Sequence, residues 1–217
     1  MTADLFDGVS DISPGEERLA DGAVLLRGFA RPFEPELIAA LRVIAEQAPF
    51  RRMFTPGGHQ MSVAMTNCGA FGWVTDRKGY RYEAIDPESQ KPWPAMPTAF
   101  SELSVKAAAR AGFKKFASDA CLINRYEPGA RMSLHQDRDE QDFANPIVSV
   151  SLGLPATFLF GGERRTDRTR RYRLEHGDAV VWGGPSRLFF HGVTPLVDGE
   201  HATFGRARIN LTFRRAR

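Results

Sequence analysis

Cysteine is scarce in this chain of 217 residues: Cys68 and Cys121 stand far apart and outside any Cys-x-x-Cys spacing. That excludes a disulfide framework and a cysteine-ligated zinc site, and both thiols are expected to be reduced. No apolar run approaches the ~20 residues that cross a bilayer. The first residues, Met-Thr-Ala-Asp-Leu-Phe-Asp, lack the basic-then-apolar order of a secretory signal. A cytoplasmic protein with no membrane partner is therefore expected. Internal repeats and low-complexity tracts are also missing, and 42% hydrophobic with 25% charged residues excludes a mainly disordered chain. The length suits one domain with a full core.

What is present begins with an asymmetry of charge. Residues 1–21 hold six acids (Asp4, Asp7, Asp11, Glu16, Glu17, Asp21) and one base, Arg18; the remainder holds 28 bases against 20 acids. An acidic, flexible lead before a basic body is expected, and a basic body is suited to a polyanion partner.

After the lead, Ala23 to Phe29 reads as a short strand. Leu37, Ile38, Leu41 and Ile44 recur at helical spacing between Pro35 and Gln47, and a second helix is expected from Pro97 to Ala111, closed by Gly112. Residues 51–94 carry turn formers and an aromatic series (Phe71, Trp73, Tyr80, Tyr82, Trp93), which reads as short strands and loops forming a lid rather than core. From Ala120 the rhythm becomes six short strands, at 121–126, 147–152, 156–160, 172–175, 179–182 and 208–213. Their spacing predicts an antiparallel sandwich or barrel behind the helices, an α+β chain.

Two His-x-Asp pairs occur, where chance expects about 0.3. His176-Gly-Asp178 lies between strands, where glycine favours a turn. His135-Gln-Asp137, if extended, places both side chains on one face about 6.6 Å apart, and His191 is available as a third ligand. Two histidines and a carboxylate are the facial triad of non-haem Fe(II) oxygenases, while zinc takes the same ligands. In the last strand Arg208, Asn210, Thr212 and Arg214 alternate with Ile209, Leu211 and Phe213. Such a polar face ordinarily meets water. Two arginines beside Asn and Thr also make a receptor for a dicarboxylate, through paired charge-assisted hydrogen bonds.

These motifs, with Asn124-Arg-Tyr126-Glu-Pro-Gly, Thr55-Pro-Gly-Gly and Met61-Ser-Val-Ala-Met-Thr-Asn-Cys-Gly, resemble those of the bacterial AlkB alkylation-repair dioxygenases, from about Gly22 to Arg215. His59 departs from the tyrosine that the resemblance leads one to expect. The resemblance implies a double-stranded β-helix (jelly-roll) core over residues 120–215 and a nucleotide-recognition lid over 51–94. It implies Fe(II), with 2-oxoglutarate and O2 as co-substrates, and action on alkylated DNA, single- or double-stranded, with RNA as a further candidate; a monomer is expected, since acting on long polymers needs no partner subunit. It also implies that 1-methyladenine and 3-methylcytosine lose their methyl groups as formaldehyde, with succinate and CO2 formed. In its terms His135, Asp137 and His191 ligate iron; Asn124, Tyr126, Arg208, Asn210 and Arg214 hold 2-oxoglutarate, Arg214 pairing its distal carboxylate. Trp73, Tyr80, Arg81, Tyr82, Asp139 and Arg165 meet the substrate. By its own composition the arginine-rich run 163–173, ordinarily a solvated hairpin, is also suited to gripping phosphates. Two alternatives stand beside it: a 2-oxoglutarate-dependent hydroxylase of a protein or small molecule, and a non-catalytic β-sandwich that binds nucleic acid.

Overall fold

The structure, a computed structural model, describes residues 15–217. Most of the acidic lead therefore lies outside the described residues. Its last part is not a flexible lead: Glu16–Ala20 forms strand β1, hydrogen-bonded to β2 (Ala23–Leu26). Gly22 turns the hairpin at φ +73°, a conformation that glycine adopts freely, and a Cβ there would collide with the Gly183 carbonyl.

Two helices follow where the apolar spacing predicts them, α1 (Glu34–Gln47) and, further on, α2 (Thr98–Arg110). Beyond α2, Gly112 takes φ +93° and ends the helix. Between them run β3 (Ala64–Gly69), β4 (Gly72–Asp76) and β5 (Gly79–Glu83). The remaining strands are β6 (Ala120–Tyr126), β7 (Met132–His135), β8 (Ile147–Gly153), β9 (Ala156–Phe160), β10 (Arg170–Leu174), β11 (Ala179–Trp182), β12 (His191–Val193) and β13 (Arg208–Arg214).

An antiparallel seven-stranded sheet, in the order β1-β2-β11-β8-β13-β6-β3, faces a four-stranded sheet ordered β10-β9-β12-β7. Their inner faces share one apolar cluster that includes Leu122, Ile147, Val180 and Trp182 from the first and Phe158, Phe160, Tyr172 and Leu174 from the second. This is the jelly-roll sandwich. On the outer face of the large sheet, Leu37, Leu41 and Ile44 of α1 and Phe100, Leu103 and Ala107 of α2 cover Val148, Val150, Leu211 and Phe213. Each such side chain contributes about 1.5–3 kcal/mol when fully buried.

Three expectations change. Ala64–Gly69 is no part of a lid: β3 pairs with β6 as the edge of the large sheet, because Met65 and Cys68 are buried in the two clusters on its opposite faces. Only β4 and β5, a two-stranded hairpin, stand apart from the sandwich. Strands β7 and β12, too short for a period to mark them in the sequence, lie in the middle of the site. The polar face of β13 does not meet water, since all seven of its residues are buried. Cys68 and Cys121 are buried free thiols on facing positions of β3 and β6.

Candidate metal and co-substrate site

His135 ends β7 and His191 begins β12, and the two residues are direct register partners across the antiparallel pair. Opposed residues project to the same face of a sheet, so the imidazoles lie side by side with ring centres 4.4 Å apart. Each Nδ1 is spoken for: that of His135 donates to the Ser133 carbonyl at 2.8 Å and that of His191 to the Phe189 carbonyl at 3.0 Å. A carbonyl can only accept, so the proton sits on Nδ1 and each Nε2 keeps its lone pair. Both Nε2 atoms point at Asp137, at 3.6 Å from one oxygen and 3.7 Å from the other. One ligand atom from each of the three residues lies within 4.8 Å of the others. Burial, assisted by the neighbouring His135, lowers the His191 pKa to about 4, so that ring is neutral at pH 7. Burial alone would raise the Asp137 pKa, but Arg214 and the two imidazoles hold it below the usual carboxylate range.

The charges behind this cluster come mainly from β13. Arg214 donates to Asp137 through Nη2 at 2.7 Å and Nε at 3.1 Å, and its Nε is 3.3 Å from Glu140. Arg187 donates to Glu140 at 3.0 Å and to the Asp137 carbonyl at 2.8 Å. Two arginines thus answer two carboxylates. The guanidinium of Arg214, expected on a distal co-substrate carboxylate, meets Asp137 and Glu140 in this structure.

Arg208 is the cation left over. It is 1% exposed, lies 4.9 Å over the Tyr126 ring, and donates through Nη2 to Ser151 at 2.9 Å. Its Nε and Nη1 are buried without a partner among the described residues, and its burial lowers its pKa. A buried guanidinium with two idle donors is costly unless an anion meets it. Around it Asn124 donates to Asn210, Asn210 to Ser149, and Thr212 to Asn210. The polar face of β13 is therefore a cradle inside the sandwich.

Lid residues approach from the β4–β5 hairpin. Asn67 clips β4 to β3 by two hydrogen bonds with the Trp73 backbone, both 3.0 Å. Trp73 stacks on Tyr80 with centroids 5.6 Å apart, and its indole donates to Asp139 at 2.8 Å. The buried Tyr82 hydroxyl donates to Glu140 at 2.7 Å. Arg81 does not join them. It pairs with Val74 on the other face of the hairpin, and its guanidinium is held by Asp76 and Glu83. Arg165 is exposed beside the site, 5.9 Å over the Phe190 ring.

The sequence reading missed Glu140, Arg187, Ser149, Ser151 and Trp182, whose ring centre is 4.9 Å from that of His191. The alternation Ser149-Val-Ser151 in β8 is the same polar and apolar pattern as in β13 and could have revealed the two serines. The second His-x-Asp pair is turn chemistry, as expected. Asp178 accepts from the Gly28 and Glu175 amides, and His176 Nδ1 accepts from the Gly153 amide.

The donor set fits a ferrous ion: two imidazole nitrogens with free lone pairs and one carboxylate, all on one side. The idle Arg208 donors fit one end of a dicarboxylate. Comparison with known proteins agrees. The sequence model of the 2OG-Fe(II) oxygenase superfamily matches residues 22–214. The Escherichia coli (strain K12) alpha-ketoglutarate-dependent dioxygenase AlkB is 58% identical over 98% of both chains. The chain is an AlkB-type 2OG-Fe(II) oxygenase. A fission-yeast relative, the tRNA demethylase abh1, is 34% identical over 67% of this chain and 52% of its own. The solved structure of OsALKBH1 superposes with a TM-score of 0.80 at 27% identity, covering 92% of this chain and 99% of that one. As a member of this family, the AlkB-type oxygenase uses Fe(II), 2-oxoglutarate and O2.

Proposed function

We propose that this AlkB-type oxygenase removes N-alkyl groups oxidatively from nucleic-acid bases, with 1-methyladenine and 3-methylcytosine in DNA or RNA as its substrates. The carrying observation is the convergence of His135, Asp137 and His191 beside a buried arginine that lacks an anion. Those three residues would hold Fe(II), which with 2-oxoglutarate and dioxygen supplies the oxidant for an alkyl carbon.

The chain's own residues do the rest. Arg208 binds the distal carboxylate of 2-oxoglutarate with its guanidinium, whose Nη2 also donates to Ser151 and whose Nε and Nη1 have no protein partner among the described residues. Tyr126 forms the wall beneath the guanidinium, and Asn124 and Asn210 line the same cradle. Arg214 fixes Asp137 and keeps it ionised. At the mouth, Trp73 and Tyr80 offer aromatic faces and Asp139 a carboxylate, a combination that favours a cationic methylated base over a neutral one. Such a base must leave its stack, which costs least when methylation already prevents pairing. Arg165, exposed over the Phe190 ring next to His191, would meet a substrate phosphate. The substrate role expected for Arg81 passes to its neighbours, since its ion pairs with Asp76 and Glu83 hold it in the hairpin.

The test is formaldehyde release from matched DNA and RNA strands carrying 1-methyladenine, with Fe(II) and 2-oxoglutarate supplied. Demethylation coupled to succinate is the expected result. Succinate formed while every methylated strand remains intact would overturn the nucleic-acid reading in favour of another hydroxylation substrate.

A further inference from the structure

Outside the site already described lies a groove of about 460 Å³ where the open edges of the two sheets meet. It is lined by Arg18, Leu19 and Asp21 of the β1 hairpin and by Phe160, Gly161, Arg168 and Arg170 of the β9–β10 connection. Arg18 donates to Asp21 at 3.1 Å, whereas no ion pair or hydrogen bond engages the side chains of Arg168 or Arg170 among the described residues. The groove therefore presents two free cations.

Strand register ties this groove to the ligands. Arg170 is opposite Phe160, Phe160 opposite His191, and His191 opposite His135, so one row crosses all four strands of the small sheet. Opposed residues share a face. Along β10, Tyr172 and Leu174 continue that face into the core, and Arg170 extends it outward to solvent at the strand's end. The arginine-rich run is thereby divided: Arg170 stands on the face that carries the metal ligands, and Arg171 and Arg173 on the outer one. Two strand spacings separate Arg170 from His191, about 10 Å at ~4.8 Å each. The row itself passes through the core, with Phe160 3% and His191 5% exposed, so a substrate strand held at Arg170 reaches the mouth over the surface. The turn is also joined to the site directly, because Gln136, between two of the ligands, donates to the Glu163 carbonyl at 3.4 Å.

We propose that this groove is a phosphodiester subsite, in which Arg168 and Arg170 hold the backbone of the substrate strand away from the damaged base. The inference rests on the nucleic-acid reading above and deepens it: the preferred substrate is a polymer longer than the lesion and its immediate neighbours. Exposed guanidiniums on the ligand-bearing face, beside a net positive body, match a polyanion better than a neutral or cationic partner.

The experiment compares a trinucleotide with a strand of about 15 nucleotides, each carrying one 1-methyladenine. Formaldehyde release gives kcat/KM, and fluorescence anisotropy of the longer strand gives the salt dependence of binding. Wild-type protein should favour the longer strand. In the double variant Arg168→Gln, Arg170→Gln that preference should fall several-fold, and the slope of log K against log salt should become shallower by about 1.4, as two contacts to single-stranded phosphates require. Arg171→Gln removes a like charge from the outer face and should keep the wild-type slope. A double variant with the wild-type length preference and slope would overturn the subsite. So would an equal effect from Arg171→Gln, which would mean diffuse charge rather than a site. If wild-type protein released formaldehyde from neither strand, the failure would lie in the underlying nucleic-acid reading.

Discussion

At the scale of residues, chemistry is decided by which charge lacks a partner. Arg214 and Arg208 look equivalent in sequence, two places apart on the same polar face from Asn210 and Thr212. In the fold one is neutralised by Asp137 and the other by no carboxylate among the described residues. Replacing Arg208 by Gln should raise the 2-oxoglutarate requirement about 10- to 100-fold, the range for hydrogen bonds to a charged group, as measured by the KM for 2-oxoglutarate. Replacing it by Met should do the same to binding while raising the melting temperature of the protein without co-substrate, because an uncompensated buried charge is removed. Asp137→Ala should abolish turnover yet leave binding of a methylated oligonucleotide within about twofold, since Asp137 faces the imidazoles and Arg214 rather than the lid; anisotropy and formaldehyde release together check it. The triad was legible because a His-x-Asp pair, a distant His and an alternating arginine strand reinforce one another. The roles of Glu140 and Arg187 were not, because a loop acid and a loop arginine carry no periodicity, and only three-dimensional proximity pairs them.

Among the elements, the long periodic ones could be read and the short ones could not. Helices α1 and α2 and the strands β6, β8, β9 and β11 announce themselves by period and by turn residues. Strands β7 and β12, four and three residues long, are too short for a period to stand out, even though Met132 and Leu134 alternate with Ser133 and His135 in β7. The polar face of β13 was visible as a pattern. Its burial was not, because that depends on the small sheet folding over it. The lid's base offers a test at this scale. Asp86, just beyond β5, is clamped by Arg51, whose Nη1 donates to it at 2.8 Å, and by the Glu88 amide and Ser89 hydroxyl. Burial would raise the Asp86 pKa, yet these hydrogen bonds bring it from 3.8 down to about 2. A carboxyl whose folded value is depressed stabilises the fold above its unfolded value, and that stability is lost as pH falls toward the folded one. Asp86→Asn should therefore cost on the order of 2 kcal/mol at pH 7, with the difference from wild type closing between about pH 4 and pH 2 in urea unfolding.

For the whole molecule, the sandwich is held from outside by α1 and α2, and within its largely apolar interior the polar stretch along β13 is completed by what it binds. Saturating Mn(II) with 2-oxoglutarate, which occupies the site without turnover, should raise stability by about 2.7 kcal/mol at a hundred times Kd. In a chain of this size that is roughly 5–10 °C in Tm. Thermal unfolding of wild type should show that rise, and Arg208→Gln should lose most of the part due to 2-oxoglutarate. Among the described residues no helix is long and apolar enough to cross a membrane.

Pairing His135 with His191 across two of the shortest strands has a final consequence. A slip of a single residue in either strand would turn one imidazole to the far side of the sheet. No neighbouring alignment could then hold the ion half as well, for the third ligand follows β7 directly and would turn with it. Iron uptake is thus an all-or-none gauge of correct strand alignment, and a preparation's stoichiometry of bound iron counts its properly folded molecules.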